Sequence, residues 1–213
     1  MEIYLVRHTA PAIAKGVCYG QADLDVTDTF ANEAAIIQQH LPAAVGVVYS
    51  SPLQRCEKLA RHLFASHSIQ LHNDLMEINC GEWELRLWDD IPKNEIDPWM
   101  NDFVNVRIPG GESYTDVYER VAQYFDKIIA AGAGLPNAVI VAHGGVIRSI
   151  LSYITQTPLV DSFNVFSLHY GCVIKIVTEQ NGFRHEVLSN ITHEKETHKP
   201  ASSSINQQGK AGL

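Results

Sequence analysis

The chain has 213 residues, of which 46% are hydrophobic, and a formal net charge of -8 at pH 7. That length can bury one substantial core, and the acidic balance argues against a surface that wraps nucleic acid or coats an anionic membrane. Any anion this chain binds must be held locally, by a few basic groups in a pocket.

In chain order, Ile3 to Val6 is a short branched, apolar run of the kind that forms a strand buried on both faces, and it ends in Arg7-His8. Helical spacing follows over Asp28 to His40. A second strand is expected at Val45 to Tyr49, and a helix over Pro52 to His67 with Ser51 as its cap, Pro52 in its first turn and Gln54 completing a capping box. Residues 73–113 have no clear period and carry Trp83, Trp88 and Trp99. A segment of this kind forms an irregular or helical cover over a site, where a tryptophan either lines the cover or packs its core. Helix returns over Tyr114 to Ala131, then a strand at Ala138 to Ala142 and a helix at Val146 to Ile154. Cys172 to Thr178 and Phe183 to Ser189 flank Asn181-Gly182, the signature of a hairpin.

Alternation of strands and helices predicts an α/β fold: a three-layer α/β/α sandwich whose mainly parallel central sheet gains an antiparallel edge strand. The expected organisation is a single domain over 1–193 followed by a polar tail over 194–213. No apolar run is long enough to span a membrane, and the N-terminus has no basic stretch leading into a long apolar one, so a cytoplasmic protein is expected. Cys18, Cys56, Cys80 and Cys172 follow no ligand or disulfide spacing and are read as reduced thiols, with Cys56 and Cys172 acting as small apolar fillers.

Ligands of open α/β sheets bind beyond the carboxyl ends of the strands, where helix N-termini present unpaired N–H groups. Three strand ends matter here. The first carries Arg7-His8, the second Ser50-Ser51 with Arg55 just beyond, and the third His143-Gly144-Gly145. Two guanidiniums, two imidazoles and two helix N-termini in one place make a phosphate pocket. Metal ligation fits poorly, since the flanking arginines would repel a cation. A bound phosphoryl group beside a histidine invites nucleophilic attack on phosphorus, with water later hydrolysing the phosphohistidine. The departing alkoxide needs a proton donor. Glu77, Glu82 and Glu84 all compete for that role, and Glu77, directly after Leu75-Met76, is the one best placed for partial desolvation.

Four ordered segments, "LVRHT", "SSPLQRCEKLA", "MEINCGEWE" and "VAHGGVIRSIL", together resemble the signatures of the histidine phosphatase superfamily, whose fold is phosphoglycerate mutase-like. The resemblance implies His8 as the phosphorylated nucleophile, Arg7 and Arg55 as phosphate clamps, His143 as the second phosphate-binding histidine and Glu77 as proton donor, with no metal or cofactor. Within the superfamily, "GVCYGQADLDV" and "PGGESYTDVYERV" are most similar to alpha-ribazole phosphatases, which act on a 5'-phosphate in cobalamin assembly. Thr9, Tyr19, Gly20, Gln21 and Gly144 are then expected to contact substrate. Departures from the pattern are Thr9, which stands where the family has glycine after the histidine; Pro11 and Ala14, where many mutases carry polar residues; and Leu85, where glycine is common.

The expected partner is a small-molecule phosphate monoester, handled by a monomer or homodimer with no nucleic acid or membrane involved. A sugar-phosphate phosphatase or phosphoglycerate mutase is the alternative enzyme. A non-catalytic phosphate-binding module is the alternative from outside enzymology.

Overall fold

A computed structural model describes residues 1–190; the expected tail over 194–213 and the last residues of the expected 1–193 domain lie outside the described residues. Strands β1 (Glu2–Arg7), β2 (Val47–Ser50), β3 (Ile69–Leu71), β4 (Asn137–Ala142), β5 (Val173–Glu179) and β6 (Gly182–Ser189) form one sheet in the order β3-β2-β4-β1-β5-β6. The β3, β2, β4 and β1 strands run parallel, whereas β5 lies antiparallel to β1 and β6 antiparallel to β5. This is the expected mixed sheet, and the C-terminal hairpin supplies its antiparallel edge.

Alternation along the strands separates two cores. Ile3 and Leu5 of β1 and Ile140 of β4 pack with Val117, Val121 and Phe125 of helix α4 (Tyr114–Ala131) and Ile147 and Ile150 of helix α5 (Gly144–Thr155). On the opposite face, Tyr4, Val6, Val139 and Val141 pack with Ala34 and Ile37 of helix α1 (Phe30–Gln38) and Cys56, Leu59 and Ala60 of helix α2 (Gln54–Leu63). Both faces of the central strands are covered, which is why they read as unbroken apolar runs.

Helix α4 has the expected bounds. Its start is sharpened by a capping box in which Asp116 N–H donates to Ser113 Oγ while Ser113 N–H donates to the Asp116 carboxylate. The expected box at α2 does not form. Leu53 is extended, so the helix begins at Gln54; Ser51 Oγ accepts from Leu53 N–H and also meets His143, and the Gln54 side chain donates to Asp23 O. Asp23, from a distant loop, instead accepts the Gln54 N–H at 2.7 Å and places its carboxylate at the positive end of the helix. Helix α2 also stops at Leu63, short of the expected His67, and leaves room for β3, which the sequence pattern did not reveal.

Residues 73–113 form three short 3-10 turns and helix α3 (Lys93–Asn101), which contains Pro98. The segment has its own small core of Cys18, Cys80, Trp83, Ile91, Ile96 and Ile108. Trp88 and Trp99 stack at 5.8 Å and Trp83 donates its indole N–H to Glu95, so these rings pack the cover against itself. A last short helix, α6 (Ser162–Val165), sits beside α5.

Candidate active site

The sheet brings the three chemistry-bearing strand ends together. Arg7 closes β1 and His8 follows it; Ser50 closes β2, with Arg55 in the first turn of α2; Ala142 closes β4, and His143 leads into α5. Helix α5 begins at Gly144, two residues before the expected Val146, so its N-terminal turn opens directly onto this corner. The backbone of His8 is clamped on both sides, its N–H donating to Ala142 O and its carbonyl accepting from Gly171 N–H. Arg7, His8, Arg55 and His143 are buried to 7%, 2%, 0% and 0% residual exposure, and the two imidazole centroids lie 5.1 Å apart.

Burial first, and then the charges of Arg55 and Arg7, push the His8 pKa well below 6.5; burial, Arg55 and His8 do the same to His143. Both rings are therefore neutral at physiological pH. His8 Nδ1 lies 2.7 Å from Thr9 O. A carbonyl can only accept, so the ring proton sits on Nδ1 and Nε2 keeps its lone pair. His143 Nε2 is 2.8 Å from Ser51 Oγ and 3.4 Å from Cys56 Sγ, whose thiol burial pushes up to about 12. Cys56 is thus an inert filler against the second imidazole, and all four cysteines are buried with no disulfide among the described residues.

The guanidiniums are held by main-chain oxygens. Arg7 Nη1 donates to Leu168 O at 2.7 Å, and Arg55 donates to Ala22 O at 2.8 Å and Gly20 O at 2.6 Å. Arg55 Nε and Thr9 Oγ1 are buried with no hydrogen-bond partner among the described residues. An approaching tetrahedral oxyanion is the group that such donors suit. Among the described residues, no three His, Cys, Asp or Glu side chains gather to hold a metal ion.

The three competing carboxylates have separate fates. Glu84 accepts from the backbone N–H groups of Gly20, Gln21, Ala22 and Cys80 at 2.8–3.0 Å, which ties the loop after β1 to the cover. Glu82 is exposed. Glu77 is half-buried and reaches the start of α5, where Oε2 accepts from Gly145 N–H at 3.0 Å and Oε1 from Ile78 N–H at 2.9 Å. Arg120, paired with Glu112, fixes the Glu77 main chain by donating to its carbonyl.

The remaining expected contact residues gather around this corner. Gly20 must be glycine, because a Cβ there would overlap Ile78 O; the Gln21 amide donates to Glu77 O, which commits it to holding the acid's backbone; and a Cβ on Gly144 would stand 3.4 Å from the Arg7 guanidinium. The Tyr19 ring lies 5.5 Å from Arg55 and its hydroxyl meets that of Tyr170. Leu85 keeps the left-handed turn that glycine usually takes, at φ 64, with its side chain 60% exposed. Ser51, Glu84, Arg120 and Tyr170 are site-building residues that sequence reasoning assigned to no such task. Ser51, Glu84 and Arg120 lie inside segments that carry the family resemblance, whereas Tyr170 carried no signal.

A family model for the histidine phosphatase superfamily, branch 1, matches residues 3–191. The chain belongs to that superfamily. Among curated relatives of this histidine phosphatase, "Putative phosphoserine phosphatase 2" of Hydrogenobacter thermophilus is 29% identical over 171 residues, 77% of this chain and 83% of that one. "Probable phosphoglycerate mutase GpmB" of Yersinia pestis is 28% identical over 167 residues, covering 74% and 76%. In three dimensions the chain is similar to the alpha-ribazole phosphatase of Shigella flexneri, with a TM-score of 0.82 and 22% identity over 92% of this chain and 100% of that one. That likeness establishes the phosphoglycerate mutase-like fold. No helix among the described residues is long and apolar enough to cross a membrane.

Proposed function

We propose that this histidine phosphatase is a phosphomonoesterase working through phospho-His8. His8 Nε2 attacks phosphorus while Arg7, Arg55, His143 and the Gly144 N–H hold the three equatorial oxygens. The ester P–O bond breaks, and Glu77 gives its proton to the departing alkoxide. Water then attacks the phosphorus of phospho-His8 and gives a proton to Glu77, the P–N bond breaks with its electron pair returning to His8 Nε2, and inorganic phosphate leaves. Thr9 supplies a hydroxyl at the pocket floor, and Tyr19, Gly20 and Gln21 form the side against which the alcohol portion rests. One observation carries this reading: a buried neutral imidazole with its proton fixed on Nδ1 stands beside a second neutral imidazole and two buried guanidiniums.

The substrate assigned is alpha-ribazole 5'-phosphate or a cobamide 5'-phosphate, acted on in the cytoplasm during cobalamin nucleotide-loop assembly. In support, both segments that resemble alpha-ribazole phosphatases border the site, 16–26 through Tyr19 to Ala22 and 109–121 through Glu112 and Arg120. A smaller phosphate bearing a carboxylate, such as phosphoserine or 3-phosphoglycerate, is the second reading, favoured by the names of the relatives at 28–29% identity.

Acid-quench labelling with a 32P-labelled ester tests the chemistry. The wild type is expected to yield an acid-labile phosphoprotein and His8→Ala none; equal turnover by His8→Ala would overturn the mechanism, and no labelling at all would leave a phosphate-binding module. A kcat/KM comparison across ribazole phosphate, phosphoserine and 3-phosphoglycerate decides the substrate, with preference for either of the last two refuting the first assignment.

A further inference from the structure

The two edges of the sheet differ. At one, β3 offers only three residues, Ile69–Leu71; at the other, β6 runs over eight, Gly182–Ser189, and among the described residues no strand pairs with its outer side. A long open edge is a template for another strand, and a short one is not. The irregularity in β6 falls at Leu188, between the pairs Ile174–Val187 and Val173–Ser189, so Phe183 to Val187 keep unbroken register with β5.

Those five residues alternate between the faces of the sheet. Phe183, His185 and Val187 lie on the face covered by α4 and α5: the Phe183 ring is 6.0 Å from Phe125, the His185 ring is 6.2 Å from Phe166, and Val187 walls an apolar cavity of about 330 Å³ beside Leu151 and Ile174. Val187 nevertheless keeps 51% of its surface exposed. Arg184 and Glu186 lie on the other face, opposite Val177 and Lys175 of β5, and both are exposed. Arg184 meets Glu179 across the hairpin at 3.2 Å, with 60% and 53% of the two side chains exposed, while Lys175 pairs with Glu2. An ion pair as exposed as Arg184–Glu179 is exchanged at little cost.

We propose that β6 is the interface through which two copies of this chain form a homodimer, their sheets joined edge to edge in antiparallel register about a twofold axis at His185. The position of the axis follows from the side chains. Opposed residues of an antiparallel pair share a face, so a twofold axis normal to the sheet must set one residue against its own copy. Centred on Arg184 or on Glu186, the axis sets like charge against like, which destabilises the pairing. Centred on Phe183 or Val187, it leaves both charges without an opposite and runs off the regular stretch. Centred on His185, it sets Arg184 against Glu186 of the partner subunit, and by symmetry does so twice. The same register sets the exposed Val187 against Phe183 of the partner subunit on the other face, a β-branched residue against an aromatic one. One register therefore satisfies both faces. The interface uses none of the residues of the phosphate corner and stands apart from the phosphatase reading.

Sedimentation velocity of the full chain at low salt, over a dilution series, tests the interface. The wild type is expected to show a reversible monomer–dimer equilibrium. Arg184→Glu and Glu186→Arg each turn two attractive cross-strand pairs into two repulsive ones, so each variant alone is expected to raise the dimer dissociation constant by about tenfold or more. Mixed in equal amounts, the two variants are expected to associate with each other at about wild-type strength, because every residue 184 in the mixed dimer again opposes an unlike charge at 186. Effects inside each subunit, at Glu179 or Lys175, are the same in the separate and the mixed samples and cannot imitate that recovery. A monomer at every concentration, a dimer indifferent to both single substitutions, or single variants that fail to recover on mixing would overturn the proposal.

Discussion

Removing the Glu84 carboxylate is expected to damage both stability and catalysis, although it touches no reacting atom. Glu84 accepts four backbone N–H groups, three from Gly20, Gln21 and Ala22 and one from Cys80. A donor left without its acceptor costs about 1–3 kcal/mol, more at the upper end when the lost partner is charged. These N–H groups are partly buried, so water satisfies some of them after substitution, and Glu84→Ala is expected to cost about 3–5 kcal/mol rather than the full sum. The same loop carries the Gly20 and Ala22 carbonyls that hold the fully buried Arg55. Loosening it frees the proposed phosphate clamp Arg55, so kcat/KM is expected to fall by about a hundredfold, in line with loss of a preorganised oxyanion donor. Urea unfolding followed by tryptophan fluorescence reads the first quantity, and p-nitrophenyl phosphate hydrolysis the second. Glu82→Ala, at an exposed carboxylate two residues away, serves as the control and is expected to change neither. Glu84→Gln keeps one acceptor oxygen and should fall between. A Glu84→Ala variant within about 1 kcal/mol of wild type, with kcat/KM intact, would refute the reasoning.

Gly145→Ala places a Cβ that overlaps Glu77 Oε1 at the start of α5; it is expected to displace the acid and lower kcat by about a hundredfold for alkyl phosphates, with little effect on p-nitrophenyl phosphate, whose leaving group needs no proton. Equal losses on both esters would remove Glu77 from the role of proton donor. Leu85→Gly relieves a left-handed residue whose side chain is mostly solvated, and is expected to stabilise by up to about 1 kcal/mol once glycine's extra chain entropy is subtracted; a lower urea midpoint would contradict this. His8 and His143 have folded pKa values well below 6.5, so below pH 6.5 the unfolded chain binds protons that the folded chain does not. Their contribution to stability is complete above that pH and is lost as pH falls beneath it. The urea midpoint should drop between pH 7 and 5, with the NMR signals of both rings still those of neutral imidazole at pH 6. A flat midpoint, or imidazolium signals at pH 6, would show that burial does not hold the rings neutral.

Much of the site is written in local pattern. Arg7-His8 and His143-Gly144 end runs that are apolar on every residue because both faces of β1 and β4 are covered, so the carboxyl ends of those strands can be located without coordinates. Helix α4 is legible to the residue, since its amphipathic period is long and its capping box is internal to it. Helix α2 is less so: its first turn is closed by Asp23, about thirty residues upstream, and nothing inside the helix announces that partner.

Residue identities and strand ends alone therefore bring two arginines and two histidines to one corner, and they bring Glu77, Glu82 and Glu84 forward as candidates. The apolar Leu75-Met76 before it singles out Glu77 among the three, but what each carboxylate meets is decided only by the tertiary structure. Glu84 is consumed by N–H groups from two separate loops, Glu82 faces water and Glu77 meets the start of α5. The pairing of Tyr19 with Tyr170 is of the same kind. Strand and helix periods report which face a residue presents within its own segment. Which carboxylate meets which N–H, and which phenol meets which, depends on how distant segments are brought together when the sheet closes.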